Sequence, residues 1–105
     1  MRRGEVFALP APRSPRGHEQ RGRRYGVVLQ ADALLALSTV IVAPTSTRAL
    51  AASFRPDVEI GGRRTRVLAE QLGAVATERL GKSAGFLSRD ELDAVDRAVA
   101  LVLDV

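Results

Sequence analysis

Apolar and polar positions alternate over short stretches along most of this chain and settle into a helical rhythm only at its end. Glu5 to Leu9 is a short apolar segment closed by Pro10 and Pro12, which predicts a strand. Residues 11–24 carry proline, glycine and arginine with no periodicity, which predicts a loop. At fourteen residues it is long for a connection inside a compact domain, and loops of that length tend to be functional or disordered. Tyr25 to Gln30 is a β-branched run and predicts a buried strand. Asp32 to Leu37 has room for one helical turn or two. Thr39 to Ala43 is the clearest strand, with Pro44 expected to stop it. Phe54 to Ile60 alternates in part and runs into Gly61-Gly62, a turn signal, so Thr65 to Ala69 is expected as its hairpin partner. Leu72 to Val75 continues after a bend at Gly73. Thr77 to Leu80 reads as a single turn, and Ser83 to Leu87 as a last short strand.

The final segment is the best specified. Ser88 and Glu91 have the spacing of a capping box, with Leu87 and Leu92 as the apolar staple around it. Leu92, Val95, Val99 and Val102 then recur on one helical face. Asp90, Glu91 and Asp93 fall in the first turn, where the helix dipole favours anions.

Short strands, brief helical inserts and one terminal helix make the chain mainly β and predict a small, strongly bent, barrel-like sheet. Periodicity alone leaves two barrels open, SH3-like and OB-like. A length of 105 residues allows one domain over 1–105. Its core is modest, so dimerisation is a plausible source of further stability. There is no cysteine and only one histidine, which argues against disulfides and thiolate or histidine metal sites. No apolar run reaches the roughly 20 residues that cross a bilayer. The basic N-terminus lacks the apolar stretch of a secretory signal, so cytoplasmic residence is the default.

Charge is unevenly spread. Residues 1–24 hold seven arginines against Glu5 and Glu19, or +5; residues 25–87 hold seven basic and five acidic groups, or +2; residues 88–105 hold two arginines against five acids, or −3. Fifteen of the sixteen cationic side chains are arginine, whose planar fork suits phosphate. A general bias of composition towards arginine gives the same excess. The excess therefore supports a polyanionic partner without naming one.

The cationic end has a recognisable order. Arg3-Gly4-Glu5 opens the first strand. Gly17-His18-Glu19-Gln20-Arg21-Gly22-Arg23-Arg24 closes the loop. Val27-Val28-Leu29-Gln30-Ala31-Asp32 and Val42-Ala43-Pro44-Thr45-Ser46 follow. This succession resembles the MazF/PemK family of toxin endoribonucleases, in which an RGE strand is followed by a G-x-E-Q-x-G-x-R-P loop, a VVVxxD strand and a VxPxT strand end. The resemblance covers nearly the whole chain. It implies an SH3-like (CcdB/PemK-like) β-barrel with a C-terminal α-helix, and it decides between the two barrels.

The resemblance also implies site residues. Arg24 matches the arginine that acts on the phosphate; a guanidinium keeps its proton at neutral pH, which suits charge stabilisation better than proton removal. Ser46 stands where the family has threonine, keeping the hydroxyl for a hydrogen bond to the scissile phosphate. Glu19 matches the loop glutamate, a carboxylate for base or orienting duty. His18, Gln20, Arg21, Arg23, Tyr25, Thr45 and Thr47 flank these positions as RNA contacts. Tyr25 replaces the family proline and offers a ring that can stack on a base. Glu70-Gln71 matches an acidic-Gln pair on a later strand. The arginine that usually follows two residues after that glutamine is here Gly73, which removes a cation; Arg63, Arg64 and Arg66 are nearby in sequence to replace it.

RNA can be cut by attack of its own 2′-hydroxyl on the adjacent phosphate, which needs a base, stabilisation of the developing charge and an acid, but no metal or cofactor. The resemblance therefore implies a sequence-selective, metal-independent endoribonuclease acting on single-stranded RNA. It implies the toxin of a type II toxin–antitoxin pair, a homodimer held in check by an antitoxin with an acidic, disordered tail. The second reading is a non-catalytic binding toxin on the same barrel, aimed at gyrase or at RNA or antitoxin alone. Gyrase-directed toxins place key residues at an aromatic or basic C-terminal end, and this chain ends Leu101-Val102-Leu103-Asp104-Val105.

Overall fold

A computed structural model describes residues 1–10 and 24–105. Seven strands and one α-helix follow in order: β1 (Glu5–Leu9), β2 (Arg24–Val28), β3 (Thr39–Ser46), β4 (Asp57–Ile60), β5 (Arg63–Val67), β6 (Gly73–Ala76), β7 (Ser83–Phe86) and α1 (Arg89–Leu103). Single 3₁₀ turns occupy Asp32–Leu34, Ala69–Gln71 and Thr77–Arg79. All strand pairs are antiparallel, in the order β4-β5-β3-β2-β1-β7, with β6 also paired to β3. The result is a nearly closed barrel sheet with one C-terminal helix, as expected.

β3 organises the sheet, and it is longer than its sequence suggests. Pro44 does not stop it, because the strand changes partners there. Along one edge its partner changes from β6, paired up to Val42 opposite Gly73, to β5, paired from Thr45 opposite Val67, while on the other edge Pro44 still pairs with Gly26 of β2. A residue without an N–H is tolerated at such an irregular place in the ladder. The Pro44 carbonyl accepts from the Leu68 amide at 2.8 Å. Across the seam, the Thr45 hydroxyl accepts from the Tyr25 amide at 3.2 Å.

The hairpin is also shifted. β4 begins at Asp57, after Pro56 and the turn in which the Arg55 amide donates to Ala52. Its partner runs over Arg63–Val67, because Gly61 and Gly62 both have positive φ (59° and 80°) and make a tight two-residue connection.

Two apolar clusters lie on opposite faces of the sheet. Beneath α1, Val6, Val27, Ala43, Val58, Ile60, Val67 and Leu87 pack with Val95, joined by Tyr25, Leu92 and Val99. On the other face Val28, Val40 and Val42 pack with Phe7, Leu35, Val75 and Leu80. The capping box forms: the Ser88 hydroxyl accepts from the Glu91 amide at 3.1 Å, and Glu91 accepts from the Ser88 amide at 2.9 Å. The other Glu91 oxygen accepts from the Glu59 amide at 2.7 Å, so the cap also ties α1 to β4. Gly4 has φ +89° and the Leu92 side chain lies 3.0 Å from where its Cβ would stand, so the chain can enter β1 under the helix only with glycine there.

Candidate RNA-binding groove

Strand alternation sets which residues can meet a ligand. Along β2, Tyr25 and Val27 face α1, whereas Arg24 and Val28 face away. Along β3, Ala43 faces α1, and Val42 and Pro44 face away. On this second face lies a groove of about 320 Å³. Val42 and Pro44 form its floor. Leu9, Pro10 and Arg24 make one bank, and Gly73, Ala74 and Val75 of β6 the other, with Gln71 and Arg79 completing the lining.

Arg24 and Ser46 are far apart in sequence and come together by register. Leu9 pairs with Arg24, and Ser46 pairs with Arg66. Carried two residues beyond Gly26–Pro44, the β2–β3 register sets Ser46 beside Arg24 on the groove side, and the Tyr25–Thr45 bond shows the strands still adjacent there. The Arg24 Nε is enclosed and has no hydrogen-bond partner among the described residues. The Ser46 hydroxyl oxygen accepts from the Arg48 amide at 3.2 Å, which leaves its own O–H free to donate. Thr47 is exposed just beyond.

Other expected contacts sit elsewhere. Tyr25, expected against RNA, is turned by the alternation to the opposite face, where it packs against the core under α1. Thr45 is buried, and its hydroxyl holds the Tyr25 amide, so it supports the seam from below. Glu70 is held by Arg55, whose Nη2 and Nε donate to one carboxylate oxygen at 2.6 and 3.0 Å. That hydrogen bonding lowers the Glu70 pKa against the opposing effect of burial, and raises that of Arg55. Gln71, next on the same turn, is exposed and lines the groove. Arg66 is engaged by Asp57 at 3.2 Å and by the Ala49 carbonyl at 2.7 Å, and Arg64 reaches Asp57 at 3.8 Å. Arg66 is thus occupied as a structural partner, whereas Arg63 and Arg64 are exposed on the hairpin. His18, Glu19, Gln20, Arg21 and Arg23 lie outside the described residues.

Two residues here carry no signal in the sequence order. Arg55 fixes the turn that presents Gln71, and Arg79 reaches the groove from a turn far along the chain. Arg3 serves the fold. Its guanidinium grips Asp96 of α1 at 2.6 and 3.3 Å and donates to the Leu29 carbonyl at 2.9 Å, while Asp32 accepts from its amide at 2.7 Å. No helix among the described residues is long and apolar enough to cross a membrane.

Residues 2–103 match the family described as PemK-like, MazF-like toxin of type II toxin–antitoxin system. The chain belongs to this family. It is 41% identical over 102 residues to the Mycobacterium tuberculosis protein Rv3098A, which carries the name of a toxin, covering 96% of this chain and 95% of that one. It is 32% identical over 116 residues to the endoribonuclease MazF9 of the same organism, covering 100% of this chain and 98% of the relative. Among solved structures, a mycobacterial endoribonuclease in complex with its cognate antitoxin superposes with a TM-score of 0.82 at 15% identity, covering 100% of this chain and 96% of that chain. That likeness bears on the fold: the PemK/MazF-like barrel is the architecture seen here.

Proposed function

We propose that this PemK/MazF-like toxin cuts single-stranded RNA, sequence-selectively and without a metal, by attack of a 2′-hydroxyl on the adjacent phosphate. The observation that carries the reading is the β2–β3 register that sets Ser46, with a free O–H, beside Arg24, which lines the groove and whose enclosed Nε has no partner among the described residues. The attacking 2′-oxygen gives up its proton and forms the new P–O bond, the bond from phosphorus to the 5′-oxygen breaks, that oxygen takes a proton donated by Arg24, and the products are a 2′,3′-cyclic phosphate and a 5′-hydroxyl. Charge accumulates on the non-bridging oxygens in the transition state. A guanidinium beside a hydroxyl donor acts on that charge. Arg24 stabilises it and Ser46 donates to the same phosphate. Glu19 takes the base or orienting role.

Digesting a long single-stranded RNA with the purified protein in EDTA tests this. Cleavage with cyclic-phosphate and 5′-hydroxyl ends is expected. Loss of cleavage in EDTA, restored by Mg²⁺, overturns the mechanism.

The partner in this reading is an antitoxin whose acidic tail competes for the same groove. A polyanionic RNA and an acidic extended peptide present similar charge to it. The active form is a homodimer, supported by the small core and by exposed Leu101, Leu103 and Val105 at the end of α1. Light scattering that returns only the 11.3 kDa species at micromolar concentration counts against the dimer.

A further inference from the structure

We infer that Arg79 is a second RNA-gripping cation, which holds a backbone phosphate in the same groove as Arg24 and supplies the positive charge that Gly73 does not. The inference rests on the reading of the groove as an RNA site and adds to it a residue that sequence order does not suggest.

Three observations carry it. First, the β6 bank carries no charged side chain. Gly73 lines the groove, and a Cβ built there meets nothing closer than the Gln71 carbonyl at 4.0 Å, so the bank has space and no charge. Second, Arg79 is mounted on a fixed turn. Thr77 donates to the Ser38 carbonyl through its amide at 2.9 Å and its hydroxyl at 3.2 Å. Leu80 packs into the cluster around Val28, Val40 and Val42, and the Gly81 amide donates to Ala8 of β1 at 2.8 Å. The turn is thus pinned to the segment leading into β3 before Arg79 and to β1 after it, with its arginine lining the groove. Third, Arg79 is exposed and forms no ion pair among the described residues, unlike Arg3, Arg55 and Arg66. A guanidinium without a carboxylate partner retains its full charge for a phosphate. Two arginines lining one groove with an apolar floor suit a strand whose phosphates are gripped while a base lies against Val42 and Pro44.

The test uses a 2′-O-methyl oligonucleotide spanning a cut site mapped with the wild-type protein; it binds but cannot be cut by 2′-hydroxyl attack. Arg79→Gln is expected to weaken binding roughly tenfold near 0.1 M salt and to lower the slope of log K against log salt by about 0.7, the share of one single-strand phosphate. Arg79→Lys retains most of the slope. Gly73→Arg placed in the Arg79→Gln protein restores both affinity and slope, because the charge returns to the same groove. Arg89→Gln, on the first turn of α1, makes the same change in net charge and leaves both unaltered. On cleavable RNA, Arg79→Gln raises KM with little change in kcat, the pattern of lost grip. Arg79→Gln behaving like Arg89→Gln in affinity and slope overturns the inference even when wild-type protein binds and cuts RNA. A wild-type protein that neither binds nor cuts RNA overturns the underlying reading of the groove instead.

Discussion

Tyr25 and Val27 of β2 lie beneath α1 with Val6, Ala43 and Val95, whereas Arg24 and Val28 of the same strand turn to the groove side with Leu9, Val42 and Pro44. Neighbouring residues on one strand therefore answer to different constraints. The helix side is filled by valines with almost no exposure, each contributing about 1.5–3 kcal/mol through burial. The groove side has an apolar floor but ends in arginines, a glycine and a glutamine. The first face gives the sheet its shape; the second has positions left over for chemistry. The seam at Pro44 and Thr45 joins them, since the buried Thr45 hydroxyl holds the strand that presents Arg24.

The severest way to break this division is on the helix side. Val27→Asp places an unpaired carboxylate where exposure is zero. Burial of such a charge costs several kcal/mol against a total stability of about 5–15 kcal/mol. Loss of the cooperative thermal transition is expected, and a normal transition would mean that this cluster is not the core.

Next in size is the groove side. Ser46→Ala removes a donor without touching a core contact. Its cleavage rate should fall roughly tenfold to a hundredfold, the worth of a hydrogen bond to a charged group. Ser46→Thr should retain or raise activity, and both variants should melt like the wild type. An unchanged rate for Ser46→Ala would remove the hydroxyl from the mechanism.

A smaller effect should come from Arg55–Glu70, which belongs to neither face but fixes the turn carrying Gln71. The Glu70 pKa is lowered by its hydrogen bonds from Arg55. A carboxylate with a depressed folded-state pKa contributes stability that is fully present above its unfolded value, about 4.3, and is lost as pH falls through the folded one. Melting temperatures between pH 7 and pH 3 should therefore drop more steeply for wild type than for Glu70→Gln, with the divergence below about pH 4. Parallel curves would show that the pair adds nothing to the fold.

Much of the architecture is readable from local chemistry. The capping box at Ser88 and Glu91, the Gly61-Gly62 turn and the short apolar runs each form where their residues demand. The departures share a cause. Pro44 signals a strand end, yet β3 passes through it because its partner along one edge changes from β6 to β5 there while β2 still pairs on the other, which depends on residues some twenty to thirty positions away. The site shows the same boundary. Arg24 and Ser46 are picked out by the order of motifs, and the strand register sets them side by side. Tyr25 is assigned to RNA by its neighbours in sequence, and alternation turns it to the core. Glu70 reads as available in sequence, but Arg55 holds it, and Arg79 gains its place only because Leu80 and Gly81 fix its turn against two strands. Sequence order identifies chemistry carried by consecutive residues, but it does not reveal which face a strand residue takes or which distant side chain occupies it.

The most direct test of the division between faces is Arg24→Ala, followed by single-turnover cleavage and thermal melting on the same preparation. The cleavage rate should fall by about two orders of magnitude or more, as for loss of a preorganised charge-stabilising donor, while the melting temperature stays at the wild-type value. A wild-type cleavage rate, or a collapse of the fold together with the activity, would contradict the account.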